Sequence, residues 1–140
     1  MKSLSAELGA ILVGLFIFGY AEAWGEDWKL YSSSDYGDNY YDAESITHPS
    51  ENIVRVWMKW VFTKKYLIDL VRQEGEEYSA LESEIVLYEY HCAEKKIRSL
   101  SIVVYSKDGG VFLKEDHQGL NWDLIVPESN GEILYKAVCK

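Results

Sequence analysis

Positive charge is scarce in this sequence: 14 Lys and Arg stand against 23 Asp and Glu, for a formal net charge of −9. That balance argues against a nucleic-acid partner, because holding phosphates takes Lys and Arg that displace counterions. It argues equally against docking on an anionic membrane surface. Only two prolines occur, and no repeat, linker or low-complexity tract divides the 140 residues, a length that suits one domain or one domain plus a processing segment. The three histidines, His48, His91 and His117, show neither H-x-x-x-H nor H-E-x-x-H spacing, so a zinc-binding helix is absent. The chain also lacks a G-x-S-x-G elbow and a Gly-rich phosphate loop. With two cysteines far apart, it has no C-x-x-C redox pair and no C-x-x-C-H haem site.

The apolar 48 % and charged 26 % describe a chain able to pack a core. Eleven Tyr and five Trp favour strands. One uncharged run extends from Leu8 to Ala21, behind the positive Lys2. It is shorter than the roughly 20 residues of a membrane-crossing helix, and long enough for the apolar stretch of a secretory signal. Ala21-Glu22-Ala23 then supplies the small residues a signal peptidase reads. The expectation is a signal peptide over 1–23, cleaved between Ala23 and Trp24, and one domain over 24–140. An uncleaved anchor or a buried core helix is the alternative. No cysteine near that junction offers a lipid attachment point, so no membrane association is expected after cleavage.

In an exported chain an even cysteine pair is read as a disulfide, here Cys92 with Cys139. Along the chain, Trp28–Tyr31 and Asn39–Tyr41 read as short strands around a turn at Ser32–Asp35, and His48–Asn52 reads as a loop. Ile53–Phe62 is the clearest strand. Val54, Val56, Met58, Trp60 and Phe62 alternate with a mixed face bearing Arg55, Trp57 and Lys59. Lys64–Gln73 reads as a helix stopped at Gly75, whereas Tyr78–Ser83 is ambiguous. Ile85–Cys92 and Lys95–Tyr105 read as a hairpin whose tight turn sets Glu89 opposite Arg98. Asp108-Gly109-Gly110 turns into Val111–Lys114, and Trp122–Val126 is a last extended piece. Ser129-x-x-Glu132 is a capping box, opening a helix to about Val138. The pattern predicts an α+β fold: a mostly antiparallel sheet, a mid-chain helix, and a C-terminal helix tied to the sheet by the disulfide.

Candidate chemistry is sparse. Glu115-Asp116-His117 suggests a hydrolytic or metal cluster, against the simpler reading of a solvated loop. Asp35, Asp38 and Asp42 are acid-rich without the alternation of a calcium loop. Glu76-Glu77 and Glu82/Glu84 are paired carboxylates on what reads as a wet face. No catalytic residue, cofactor or metal is therefore assigned, and the chain reads as a non-enzyme. Arg55, Trp57 and Lys59 form the candidate protein-binding patch, because Trp and Arg together anchor interfaces. The rival reading covers Trp57 with the Lys64–Gln73 helix or a loop, as part of a second small core.

The ordered fragments Tyr40-Tyr41-Asp42-Ala43-Glu44-Ser45-Ile46, Val54-Arg55-Val56-Trp57-Met58-Lys59, Leu87-Tyr88-Glu89-Tyr90-His91-Cys92 and Arg98-Ser99-Leu100-Ser101 carry a family likeness. So do Tyr105 with Gly109-Gly110, Trp122 with Ile125-Val126-Pro127-Glu128-Ser129, and the ending Tyr135-Lys136-Ala137-Val138-Cys139. Together they resemble the surface-adhesin protein E family of proteobacterial exported proteins, over nearly the whole chain after the leader. The resemblance implies a small antiparallel α+β domain with Cys92 and Cys139 bridged. In the member that gives the family its name, it implies attachment to host extracellular-matrix proteins. It brings no catalytic residues, and marks Asp42, Ser45, Trp57 and Trp122 as fold-keeping positions. His91 departs from the family, where an acid is expected before the cysteine. The resulting expectation is an exported binding module in the periplasm, at the cell surface or in the medium. Its partner is another protein, met at a sheet face or edge, with a homodimer as one form. A periplasmic accessory or assembly role, and a hydrolase with a spatially assembled site, are the alternatives.

Overall fold

The structure, a computed structural model, describes residues 27–117 and 121–140. The expected signal peptide over 1–23 and its cleavage between Ala23 and Trp24 lie outside the described residues. The strands are β1 (Trp28–Ser34), β2 (Gly37–Asp42), β3 (Thr47–Ser50), β4 (Ile53–Phe62), β5 (Leu81–His91), β6 (Lys96–Ser106), β7 (Val111–Asp116) and β8 (Asp123–Leu124). The helices are α1 (Lys64–Glu74) and α2 (Asn130–Val138). All strand pairs are antiparallel, in the order β1-β2-β4-β5-β6-β7, with β3 added beside β4 and β8 beside β6. The predicted α+β fold with a mid-chain and a C-terminal helix is the one observed.

Strand β4 organises the sheet because its alternation is unbroken. Val54, Val56 and Met58 are buried on one face, where Val86 and Tyr90 of β5 join them, and Leu134 and Val138 of α2 close over them. Helix α1 settles on the same face: its Leu67 packs with Leu81 and Val104, flanked by Phe62, Leu70 and Ile102. Ile102 borders both clusters, so the two helices share one side of the sheet.

Local chemistry places each helix. The Thr63 hydroxyl accepts from the Tyr66 N–H at 3.2 Å, starting α1, and Gly75 at φ 124° ends it. The Ser129 hydroxyl accepts from the Glu132 N–H at 3.2 Å, and the Glu132 carboxylate accepts from the Glu128 N–H at 2.8 Å. This is the expected capping box, reaching one residue further back than the usual reciprocal bond. Tyr90 donates its hydroxyl to the Gly131 carbonyl at 2.8 Å, and Tyr135 donates to the Cys92 carbonyl at 2.7 Å, so α2 is bonded to the hairpin at its first turn and at its middle. The Cys92–Cys139 disulfide is formed and closes a loop of sequence separation 47. In the chain-entropy model such a closure contributes about 4 kcal/mol.

Several boundaries differ from the sequence reading. Ser32, Ser33 and Ser34 continue β1 instead of turning, because β2 starts at Gly37 and pairs with them. Thr47–Ser50, expected as a loop, is an exposed edge strand on β4, where Pro49 needs no ladder donor. The ambiguous stretch resolves into a 3₁₀ turn over Glu76–Ala80 and a strand beginning at Leu81, four residues earlier than expected. Lys95 belongs to the hairpin turn at φ 55°, not to β6, and Trp122 precedes the short β8.

Between β2 and β3 the ladder on β4 is interrupted by a 3₁₀ turn over Ala43–Ser45. The Trp57 N–H, which faces this interruption, is accepted by the Ser45 hydroxyl at 3.0 Å. Asp42, fully buried, accepts from the Glu44 and Asp27 N–H groups at 3.0 and 3.3 Å. These short polar side chains do what a missing strand would have done for the backbone.

Candidate functional site: the helix-free sheet face

Residues paired across antiparallel strands share a face, so the register assigns the side opposite the helices. There Arg55 stands beside Glu89 and Arg98; Trp57 beside Leu87, Ser101 and Asp116; and Lys59 beside Ile85, Val103 and Lys114. A β-bulge at Leu100 in β6 keeps Arg98 and Ser101 on this one face although three positions separate them. Helix α1 packs on the other side, so of the two covers the rival reading allowed for Trp57, the helix is not the one. Trp57 instead helps line an open groove of about 510 Å³ with Ile85, Leu87, Val103, Tyr105 and Val111. Ile85 and Val103 are its floor, and Lys114 and Asp116 stand at the β7 side. Strand β7 is exposed throughout, including Val111, Phe112 and Leu113, and has no neighbour on its outer side among the described residues.

One end of the face is a charge cluster. Glu89 is 3 % exposed and accepts from Arg55 Nη2 at 2.6 Å and Nε at 2.9 Å, and from Arg98 Nη2 at 2.9 Å and Nε at 3.1 Å. Burial pushes the Glu89 carboxyl up, but the hydrogen bonds and charges of Arg55 and Arg98 outweigh it and hold it below the ordinary carboxylate range. The turn-based expectation that Glu89 opposes Arg98 is met, with Arg55 as a second partner. Arg98 also stacks over the Trp122 ring at 4.1 Å, whose edge meets His91 at 5.9 Å. Lys59 lies over the Trp28 ring at 4.6 Å. The three residues singled out from sequence thus stand on one face. Arg55 is committed to Glu89, Lys59 to Trp28, and Trp57 to the groove wall. The members supplied by β5, β6 and β7 had no signal in the sequence except the Glu89–Arg98 pairing.

The remaining candidates are dispersed. His48 is exposed on β3, and His91 Nδ1 accepts from the Glu94 N–H at 3.2 Å in the hairpin turn. His117 lies 3.5 Å from Glu115 and 3.4 Å from the Ser99 hydroxyl. Asp35 and Asp38 take part in the β1–β2 turn, where Asp38 accepts from the Ser33 hydroxyl at 2.7 Å. Glu76 and Glu77 lie in the 3₁₀ turn before β5, and Glu82 is exposed on that strand, while Glu84 turns into a cavity on the helix side. Among the described residues no group of three potential metal ligands comes together, and no helix is long and apolar enough to cross a membrane.

A family model described as surface-adhesin protein E matches residues 28–140, covering every strand and both helices. No curated protein and no solved structure matches the chain.

Proposed function

The chain belongs to the surface-adhesin protein E family, and from that premise we propose that it is an exported, non-enzymatic module that holds an extracellular protein on its helix-free sheet face. Membership carries the surface-adhesin role and export in general terms; the site, the partner class and the cleavage point are this proposal. The observation that carries it is the placement of both helices on one side, so that neither packs over the Trp57 groove and its basic border. In an acidic chain, the central rows of this face carry Arg55, Lys59, Arg98 and Lys114 against Glu89 and Asp116. A partner presenting an apolar anchor ringed by acidic residues fits that surface, with Trp57 as the central contact. The exposed β7 edge adjoins the groove and extends the contact area. In this reading the leader over 1–23 directs export and is removed between Ala23 and Trp24.

The test is binding of the purified, disulfide-bonded protein to immobilised extracellular-matrix proteins, comparing wild type with Trp57→Ala and with Lys59→Glu/Lys114→Glu. Loss of about tenfold or more in affinity is expected in each, since one anchor residue is worth at least ~1.4 kcal/mol. Binding left intact by both would overturn the choice of face. Protease shaving of intact producing cells checks the location, and a chain that resists shaving but is released with the periplasm would replace adhesion with an accessory role. Intact mass then checks for a chain starting at Trp24.

A further inference from the structure

On the opposite side of the sheet, a cavity of about 340 Å³ opens over β1, β2, β4 and β5, closed at one end by Asn130 and Gly131 at the start of α2. Its aromatic lining comes from Tyr31, Tyr36, Trp60 and Tyr88, and its polar lining includes Asn39 and Glu84. Two of these polar groups are unsatisfied. Asn39 is 6 % exposed, and its side-chain amide makes no hydrogen bond among the described residues. The Glu84 carboxylate, half-buried on β5, has neither a hydrogen bond nor an ion pair among them. No Lys or Arg lines the cavity. Burial raises the Glu84 carboxyl above its ordinary range, and Glu84 in turn contributes to the raised values of Tyr66 and Tyr88 after burial itself.

Buried polar groups are nearly always paired, so the buried Asn39 amide, facing the same cavity as the half-buried Glu84 carboxylate, points to an occupant. An occupant that donates hydrogen bonds to the Glu84 carboxylate and the Asn39 side-chain carbonyl, supplies positive charge to the half-buried carboxylate, and tolerates aromatic walls matches this lining. A cation does all three, because ring faces attract positive charge. The cavity volume lies in the range of small-ligand sites. We propose that this cavity binds a small organic cation, an alkylammonium or guanidinium group, with Glu84 as its counter-charge, Asn39 as a hydrogen-bond acceptor, and Tyr31, Trp60 and Tyr88 as its walls. The group is either a free amine or the Lys or Arg side chain of a peptide. The site is separate from the sheet face described above, and does not depend on it.

The experiment is titration of the disulfide-bonded protein by calorimetry and by NMR, following the Trp60 indole N–H, which donates to the Tyr36 carbonyl at 3.1 Å. The probes are butylammonium, agmatine, and a capped Gly-Lys-Gly peptide, with 1-butanol and a capped Gly-norleucine-Gly peptide as neutral counterparts. Saturable binding of a cationic probe at least about tenfold tighter than its neutral counterpart is expected, and Glu84→Gln removes that preference. Binding of the free amines identifies a small-molecule source, and binding of the lysyl peptide alone identifies a side chain. Glu84→Gln removes no partner interaction, so it folds; its circular dichroism and melting curve verify this. Asn39→Ser, which shortens the second polar group, weakens the same titration and serves as an independent variant. Equal binding of neutral and cationic probes, no saturable binding, or a cation preference surviving Glu84→Gln each overturns the proposal.

Discussion

Replacing Glu89 tests the electrostatic reasoning of the sheet most directly. Glu89→Ala leaves the Arg55 and Arg98 guanidiniums side by side with no counter-charge, on strands that cannot separate. Breaking a buried pair by deleting one partner costs about 3–5 kcal/mol. The side chains of Arg55 and Arg98 are 41 % and 27 % exposed, however, so water recovers part of the loss. The expected destabilisation is therefore about 3 kcal/mol, at the low end of that range. For a domain of this size it lowers Tm by roughly 10 °C. Urea unfolding of wild type and variant, with the disulfide intact in both, gives the number. The pH dependence has a fixed sign. Because the folded Glu89 carboxyl lies below its unfolded value, its stabilisation is fully present above the unfolded value and is lost as pH falls through the folded one. The gap between wild type and Glu89→Ala thus closes in acid. Replacing Arg55, Glu89 and Arg98 together by leucine recovers much of the loss, since no charge is then stranded. A Glu89→Ala cost below about 1 kcal/mol at neutral pH, or a gap that widens in acid, would refute the assignment of Glu89 as the anchor of this cluster.

Three further outcomes follow from the same structure. Cys92→Ser/Cys139→Ser loses about 4 kcal/mol if the closed loop acts chiefly on the unfolded chain, read as a lower urea midpoint against the oxidised wild type. Gly37→Ala destabilises by about 2 kcal/mol or more in thermal melts, because a Cβ at φ 150° would overlap the Trp60 indole and the Val61 carbonyl. Glu84→Gln stabilises the unliganded protein at neutral pH, since the carboxyl's value is raised by burial and ionisation there opposes folding. That gain vanishes below the ordinary carboxylate range, where Glu84 is protonated in both folded and unfolded chains, so melts at pH 3 and pH 7 check the sign.

Much of the local structure was legible because it rests on neighbours in sequence. Ile53–Phe62 announces a strand through alternation, Ser129 and Glu132 announce a helix start, and Gly75 announces a stop. The short turn after Cys92 made the Glu89–Arg98 pair readable, because a tight hairpin leaves little freedom of register. Edges were harder. Thr47–Ser50 carries Pro49 and has no apolar alternation, so its strand state depends wholly on β4 offering free backbone groups. Ser32–Ser34 likewise became strand because Gly37–Asn39 lay opposite them.

The sequence by itself determined the acidic balance, the cysteine pairing, the antiparallel α+β class and the family likeness, all of which depend on composition, spacing or ordered motifs. Tertiary structure alone decided which face of the sheet the helices cover. Alternation in β4 separates an apolar face from a mixed one, but says nothing of where α1, which follows directly, comes to rest. Once Leu67 packed against Leu81 and Val104, the face of Arg55, Trp57 and Lys59 was left without a helix, and residues from four strands joined there. The β2–β4–β5 register likewise set Asn39 and Glu84, 45 positions apart in sequence, on either side of Trp60 in one cavity. Periodicity is a property of the nearest few residues, whereas a site is assembled by contacts that span the chain.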